Sequence, residues 1–341
     1  ANLPAPAIPL PSAHFNTVTY TGNGADDRNM TGVGFQPDFV WLKSRSGANN
    51  HYLYDAIRGP NKQLLSNATN SEGNIADRMQ AFQSDGFQLG TSSEINNNGH
   101  NYVSWNWKAN GAGSNDTSGD IDATVSANQT AGFSIVNYVP NGTASATVPH
   151  GLGVAPEMVF YKRYNSSSQW FCWTTVIDGS DDYLVLDSTD AAAAVSQAGG
   201  TSFTSSFIRA TNYGASGSPE VVAYCFASKP SFSKVGSYTG NGSADGPMVN
   251  TGFKPAWLMI KNTSNAQDWM IWDTKRNPFN EVTQFLYPNL SADEGAGSNV
   301  LDLVSNGFKL RNAGTRNRNY NGDVYLYMAF AESPFKTANA R

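Results

Sequence analysis

Apolar and polar positions in this chain fall into short blocks, and the same blocks return three times. One block opens on Phe15 and reaches Tyr20 and Gly22-Asn23-Gly24. A second opens on Phe232 and reaches Tyr238 and Gly240-Asn241-Gly242, and a looser one runs from Phe133 through Tyr138 to Asn141-Gly142. Each reads as a strand entering a tight turn, where Gly and Asn accept positive φ. After a Gly-x-x-Pro step, each copy continues with an unbroken apolar run ending in lysine: Phe39 to Lys43, Met158 to Lys162 and Trp257 to Lys261. Such runs predict short strands buried on both faces. Pro37, Pro156 and Pro255 recur at the same intervals as Lys43, Lys162 and Lys261, so these six residues form the repeat signature.

Further strands follow from the same reading. Aromatic segments come next: His51 to Asp55, Trp170 to Trp173 with Asp178 beyond, and Trp269 to Asp273. Gly86-Phe87 is matched by Gly307-Phe308, and each copy closes on an aromatic strand: Tyr102 to Trp107, Val221 to Phe226 and Val324 to Phe330. Six to eight strands per copy with long polar loops predict an all-β chain of three tandem β-sandwich modules, jelly-roll-like, from an internal threefold repeat. The modules are placed at 15–110, 132–230 and 231–335. Residues 1–14 carry four prolines and read as an extended linker or arm. The Gly- and Ser-rich stretch 111–131 reads as a polar linker with a possible lead-in strand, and 336–341 as a tail. The only helix-like patch is the Ala-rich Asp190 to Ala198. With no linker between them, the second and third modules should touch rigidly, and the first should be more loosely hinged.

Composition narrows the function. Charged residues are 14%, aromatics 12%, and the net charge is −5. No Lys/Arg run offers the basic face that a polyphosphate partner needs, so nucleic acid is not expected. No apolar run approaches a membrane span, and the chain starts at Ala1 with no signal-peptide pattern, as a processed or trimmed chain would. Cys172 and Cys225 read as two buried free thiols, with a single bridge as the alternative.

Candidate chemistry is sparse. His14, His51, His100 and His150 are not spaced as metal ligands, and His150 reads as a turn histidine. Asp26-Asp27 and Asp178-Gly-Ser-Asp181-Asp182 fail the EF-hand pattern and read as loop acids. Asp55, Asp178 and Asp273 are read as recurring at comparable places, with Arg58 and Arg276 three positions after the first and last, as loop-fixing ion pairs. No catalytic residue, metal or cofactor is expected. Trp41, Trp257, Phe35 and Phe253 read as core. Strand alternation turns half of the aromatic segments outward, so Tyr52, Tyr54, Trp170 and Trp269 are the candidate ligand-binding residues, able to stack on sugar rings, set against the plainer reading that these rings serve core or inter-module packing.

The blocks Gly34 to Lys43, Tyr54 to Gly59, Ser84 to Gly90, Tyr102 to Ala109, His150 to Gly153 and Ala329 to Phe335 together resemble an uncharacterised repeat domain in virion structural proteins of marine tailed phages. The resemblance spans most of residues 15–341. It implies a structural or receptor-facing part of a virion, of tail-fibre or appendage type, and carries no catalytic residue with it. The expected function is non-enzymatic attachment to host surface glycan or envelope. The alternatives are a capsid decoration or head-fibre protein with a purely structural role and, third, a polysaccharide-degrading enzyme. The expected partners are other virion proteins, host glycan and further copies of the chain, with a trimer as the first guess and the virion surface as the location.

Overall fold

The computed structural model describes residues 8, 10–143, 145–195, 203–211 and 218–333. It is all-β and almost wholly antiparallel. Three larger sheets share one order of four strands: opening, closing, post-proline and aromatic strand. In the first sheet these are Phe15–Thr21, Asn101–Trp107, Phe39–Ser44 and His51–Asp55, followed by Gly59–Leu65 and Gly73–Asn74. In the second they are Phe133–Tyr138, Val221–Phe226, Met158–Arg163 and Trp170–Thr174, followed by Asp182–Val185 and Ala193–Ala194. In the third they are Ser233–Thr239, Val324–Ser333, Lys254–Asn262 and Met270–Asp273. A smaller sheet accompanies each: Arg28–Met30 with Gly86–Leu89 and Met79–Gln83, then Thr147–Pro149 with Phe207–Arg209, then Met248–Asn250 with Gly307–Leu310, Gly295–Val304 and Val282–Phe285. We call each larger sheet with its smaller partner a unit.

The unbroken apolar runs are explained by where each larger sheet lies. One face packs on its own smaller sheet, as Val40, Leu42, Tyr52, Tyr54, Phe87 and Tyr102 do in the first unit. The other face enters a core common to all three units, where Phe39, Trp41 and Trp105 meet Phe133, Phe160, Tyr224, Trp257, Met259 and Phe330. Every residue of Phe39–Ser44 is buried. Glycine in the Gly-Phe motif is set by close approach: a Cβ on Gly86 would lie 1.9 Å from the Met30 carbonyl oxygen, and one on Gly307 1.9 Å from that of Val249. Gly24 and Gly242 take positive φ, 68° and 67°, at the turns the sequence marked.

Several expectations are corrected. The first unit is not loosely hinged. Phe15 stacks on Phe330 at 4.9 Å and Phe39 on Tyr224 at 4.3 Å, so the first unit is packed against both others. In the stretch 111–131 the lead-in strand is present as Ala123–Asn128, but the part before it is no free linker, because Ser114–Asp116 pairs with that strand and both extend the second sheet beyond its opening strand. The arm is anchored at Ile8, which is buried in the common core, while residues 1–7 and 9 lie outside the described residues. In the Ala-rich patch, Ala193–Ala194 is strand rather than helix, paired to Asp182 and Tyr183, and 196–198 lie outside the described residues, as does the tail. Cys172 faces the common core and Cys225 the second unit's own core, on opposite faces of one sheet; both are free, and this rules out the bridge.

Because the core is shared, unfolding is expected to be a single transition. Phe330→Ala removes a ring that touches rings of all three units and should cost about 3–5 kcal/mol, read by urea unfolding. Tryptophans of the first unit and backbone circular dichroism should report the same midpoint. An earlier, separate transition of the first unit would instead indicate an independent module.

Candidate functional site

The four aromatic candidates are all inside the protein. Tyr52, Tyr54, Trp170 and Trp269 are each at most 1% exposed. Alternation does turn successive residues to opposite faces, but neither face meets solvent: Tyr52 and Tyr54 enter the first unit's own core, and Trp170 and Trp269 enter the common core. They offer no ring to a sugar. Phe279 and Tyr320 are the large aromatics exposed among the described residues.

The recurring polar residues are gathered instead at the boundaries between units. Lys43, Lys162 and Lys261 are buried at the ends of equivalent strands. Each ammonium donates to a backbone carbonyl of its own unit and to one of a neighbour. Lys43 reaches Asn49 O at 2.7 Å and Ser291 O, in the third unit, at 3.1 Å. Lys162 reaches Ser168 O and, in the first unit, Thr69 O at 3.0 Å. Lys261 reaches Asn262 O at 2.7 Å and Thr189 O, in the second unit, at 3.1 Å. The contacts run cyclically: first unit to third, second to first, third to second. Backbone bonds close the same three boundaries with donors running the opposite way, from Glu72 N to Tyr164 O, Ala192 N to Thr263 O and Glu294 N to Arg45 O.

Indole donors repeat the cycle. Trp170 Nε1 donates to Leu65 O at 2.7 Å and Trp269 Nε1 to Val185 O at 3.0 Å. The third place belongs to His51, whose Nδ1 accepts from Trp41 Nε1 at 2.8 Å. Burial, and then the Lys43 charge, push its pKa well below the usual value, against the Tyr287 backbone, so the ring is neutral. That last contact is loose, since no acceptor meets His51 Nε2 at full hydrogen-bond geometry.

Two of the three boundaries also carry a buried ionic network. At the first–second boundary, Asp55 accepts from Arg58 Nε at 2.6 Å and from the Tyr224 hydroxyl at 2.7 Å, while Arg58 Nη1 donates to Glu72 at 2.9 Å. At the third–first boundary, Asp273 accepts from Arg276 Nε at 2.5 Å and from Trp105 Nε1 at 3.0 Å. There Arg276 and Arg45 share Glu294. Strand register fixes the equivalent residues at the remaining boundary. Asp55 and Asp273 pair with Phe39 and Trp257, and Thr174 pairs with Met158, the corresponding residue of the second unit. The second unit's counterpart of Asp55 is therefore Thr174 and not Asp178, whose carboxylate binds Ser180 in an exposed loop. The arginine's place is held by Ile177, the glutamate's by Ala192, and that of Trp105 and Tyr224 by Met328; all three apolar replacements pack on the common core. The network is replaced as a set: where a thioether stands in place of the donor, the carboxylate, its arginine and the glutamate are absent too.

The remaining candidates are local. His150 is a buried turn residue, accepting from Leu152 N at 3.2 Å with Nε2 3.1 Å from Thr204 O. Asp26 binds Gln80. Among the described residues, no group of three or more His, Cys, Asp or Glu is arranged to hold a metal. Among the open depressions on the surface is a cavity of about 630 Å³ beside Tyr138, Val139 and Tyr164 of the second unit.

Sequence reasoning isolated Asp55, Arg58, Asp273 and Arg276 but missed Glu72, Glu294, Trp105 and Tyr224. The available signal was the joint loss of Arg and Glu in the second copy. Fold and boundary chemistry define an all-β domain in which a set of buried charged residues locks its own units together. The chain belongs to the family described as Domain of unknown function (DUF7483), whose family model matches residues 10–334. No curated protein and no solved structure matches it.

Two predictions follow from the locks. Arg58→Ile leaves the Asp55 carboxylate buried without its cation, takes one of two cations from Glu72, which keeps Lys62, and should cost about 3–5 kcal/mol. Adding Asp55→Thr, Glu72→Ala and Tyr224→Met, the set found at the apolar boundary, should recover most of that loss in urea unfolding. The second concerns pH. Burial, only partly opposed by nearby carboxylates, lowers the pKa of Lys43, Lys162 and Lys261 to about 8. Above that pH the folded chain has released protons that the unfolded chain holds until about 10.4, so stability rises with pH over this window. Tyrosines act oppositely: burial raises Tyr138 and Tyr327 to about 12, and stability falls above about 10. Urea stability should therefore climb between pH 8 and 10, and the climb should vanish in a variant with all three lysines changed to Met.

Proposed function

We propose that the chain is an internal threefold repeat of β-sandwich units closed into one block, and that it serves as a non-enzymatic appendage protein at a phage virion surface. In this reading it is of tail-fibre or tail-tip type and attaches the particle to host glycan or envelope components. One observation carries the proposal: the recurring charged and aromatic residues serve closure, with the lysines and tryptophans bridging units cyclically around a common core. A block of this kind is held by packing and buried polar contacts, which gives a chain with two free cysteines the robustness that work outside a cell demands. Asp55 and Asp273, the recurring carboxylates, are each bound to an arginine and fully buried, which does not suit the separately titrating pair a glycosidase needs. The partners in this reading are other virion proteins and host glycan, with self-association, first as a trimer, supplying avidity.

The decoration reading gains one specific observation. Burial of Tyr52, Tyr54, Trp170 and Trp269 removes the sugar-stacking platform on which attachment first rested. Locating the chain on intact particles with a labelled antibody, together with saturable binding of the purified chain to host cells, separates the two. A fibre or tip location with binding that weakens on cells stripped of surface polysaccharide is expected. A head location with no cell binding would transfer the assignment to decoration, and absence from the particle would end both.

A further inference from the structure

The second unit departs from the pattern of the other two along one edge. In the first and third sheets the opening strands Phe15–Thr21 and Ser233–Thr239 are edge strands. In the second, Ser114–Asp116 and Ala123–Asn128 continue past the opening strand. This added shelf forms a wall of the open cavity of about 630 Å³, whose other walls are the end of Phe133–Tyr138, the following loop, Tyr164 and Glu220. A segment that the shared fold does not require, and that creates a concave surface, is where a scaffold acquires a binding role.

The cavity's chemistry is specific. The Tyr164 hydroxyl donates to Asn137 Oδ1 at 3.1 Å and lies against the Glu220 carboxylate. Its ring is half-buried, with the Arg58 guanidinium 5.8 Å from the ring centre. That arginine is already bound to Asp55 and Glu72. Asn141 Oδ1 accepts from Thr143 N, which leaves the amide N–H₂ for a ligand. Asp122 is exposed, and Val139 supplies an apolar patch beside these groups. Asp120, also at the wall, is held by Thr147. No lysine or arginine lines the cavity. Carboxylate and amide groups beside an aromatic ring suit vicinal hydroxyls on a ring with an apolar face. The negative lining repels uronates, sulfates and phosphates and tolerates or favours an ammonium.

We propose that this cavity is a saccharide subsite for a neutral or amino-sugar pyranose chain, with Glu220, Asp122 and Asn141 reading hydroxyl or ammonium groups beside Tyr164. The inference rests on the attachment reading and gives it a place and a ligand class. It is tested by titration calorimetry on the full chain with three probes: cellotriose, glucosamine trimer and trigalacturonate. Binding of either of the first two is expected, with none for the third. Glu220→Gln and Asp122→Asn should each weaken binding of the glucosamine trimer about tenfold, the scale of one charge-assisted hydrogen bond. Asp122 is exposed and its side chain makes no hydrogen bond or ion pair among the described residues, so its variant should keep the wild-type melting temperature. Sugar binding unchanged in both variants would overturn this site and leave attachment standing on another surface. Trigalacturonate binding as tightly as cellotriose would overturn the charge argument. Failure of all three probes to bind, while the chain still binds host cells, would overturn the ligand class.

Discussion

Everything else in this molecule depends on three rings that meet at the centre. Trp107, Phe226 and Phe330 come from the closing strands of the three sheets and touch pairwise, edge to face, at 6.4, 6.2 and 5.6 Å between centroids. Edge-to-face geometry suits this meeting, because each ring can present a positive edge to one neighbour and a negative face to another. Around the triangle, Trp257 reaches Trp105 and Trp107, and Phe15 reaches Phe330. A sheet whose inner face is built this way cannot stay folded with that face in water. The apolar runs before Lys43, Lys162 and Lys261 therefore commit each unit to its neighbours, and this is the physical reason the first unit is docked despite the polar stretch that follows it.

The boundaries show two solutions to one packing problem. Burying Asp55, Arg58 and Glu72 is tolerable only as a complete set, because each charge removed from water must be met by another with good geometry. The apolar set Thr174, Ile177, Ala192 and Met328 avoids that condition. Mixed sets are the poor choice, and neither sheet register nor side-chain contacts place one at any of the three boundaries. The buried lysines tolerate their position differently. They have carbonyls rather than a bonded carboxylate, and their charge is correspondingly easier to remove.

Much of the fold was legible in the chain, for reasons particular residues make clear. The Gly-x-x-Pro step and the run to lysine are local constraints: a break and a doubly buried strand. They could be read without knowing what lay across the space. The site was harder, because its geometry is set by pairs far apart in sequence. Tyr224 meets Asp55 and Trp105 meets Asp273 only once the sheets have closed. The same blindness misplaced Tyr52, Tyr54, Trp170 and Trp269: alternation correctly sends neighbours to opposite faces, but whether the second face meets water or another core is a tertiary fact. Asp178 misled for a simpler reason, since one aspartate four residues past the right position looks like a repeat until the register assigns Thr174.

Head-to-tail contacts of this kind raise a question of closure. The surface that the first unit offers the second is matched by the surface the third offers the first, so a ring could in principle be completed by units of different chains. Covalent linkage opposes this, because a neighbour held on the same chain is present at an effective concentration in the millimolar range. From closing strand to opening strand, the second and third units are joined by the shorter link, running from Phe226 to Ser233 through a turn in which Lys229 N donates to Ser233 O, whereas the first and second are joined from Trp107 to Phe133 by way of the two added strands. That boundary is also the one with the apolar set. Where connectivity already dictates the partner, non-directional packing suffices. The longer connection between the first and second units, and the non-consecutive meeting of the third with the first, carry directional ionic networks. Such networks cost desolvation but reject a wrong register, because a misplaced Asp55 or Glu294 would be buried without its arginine. The distribution of charge across the three boundaries thus favours closure within a single chain.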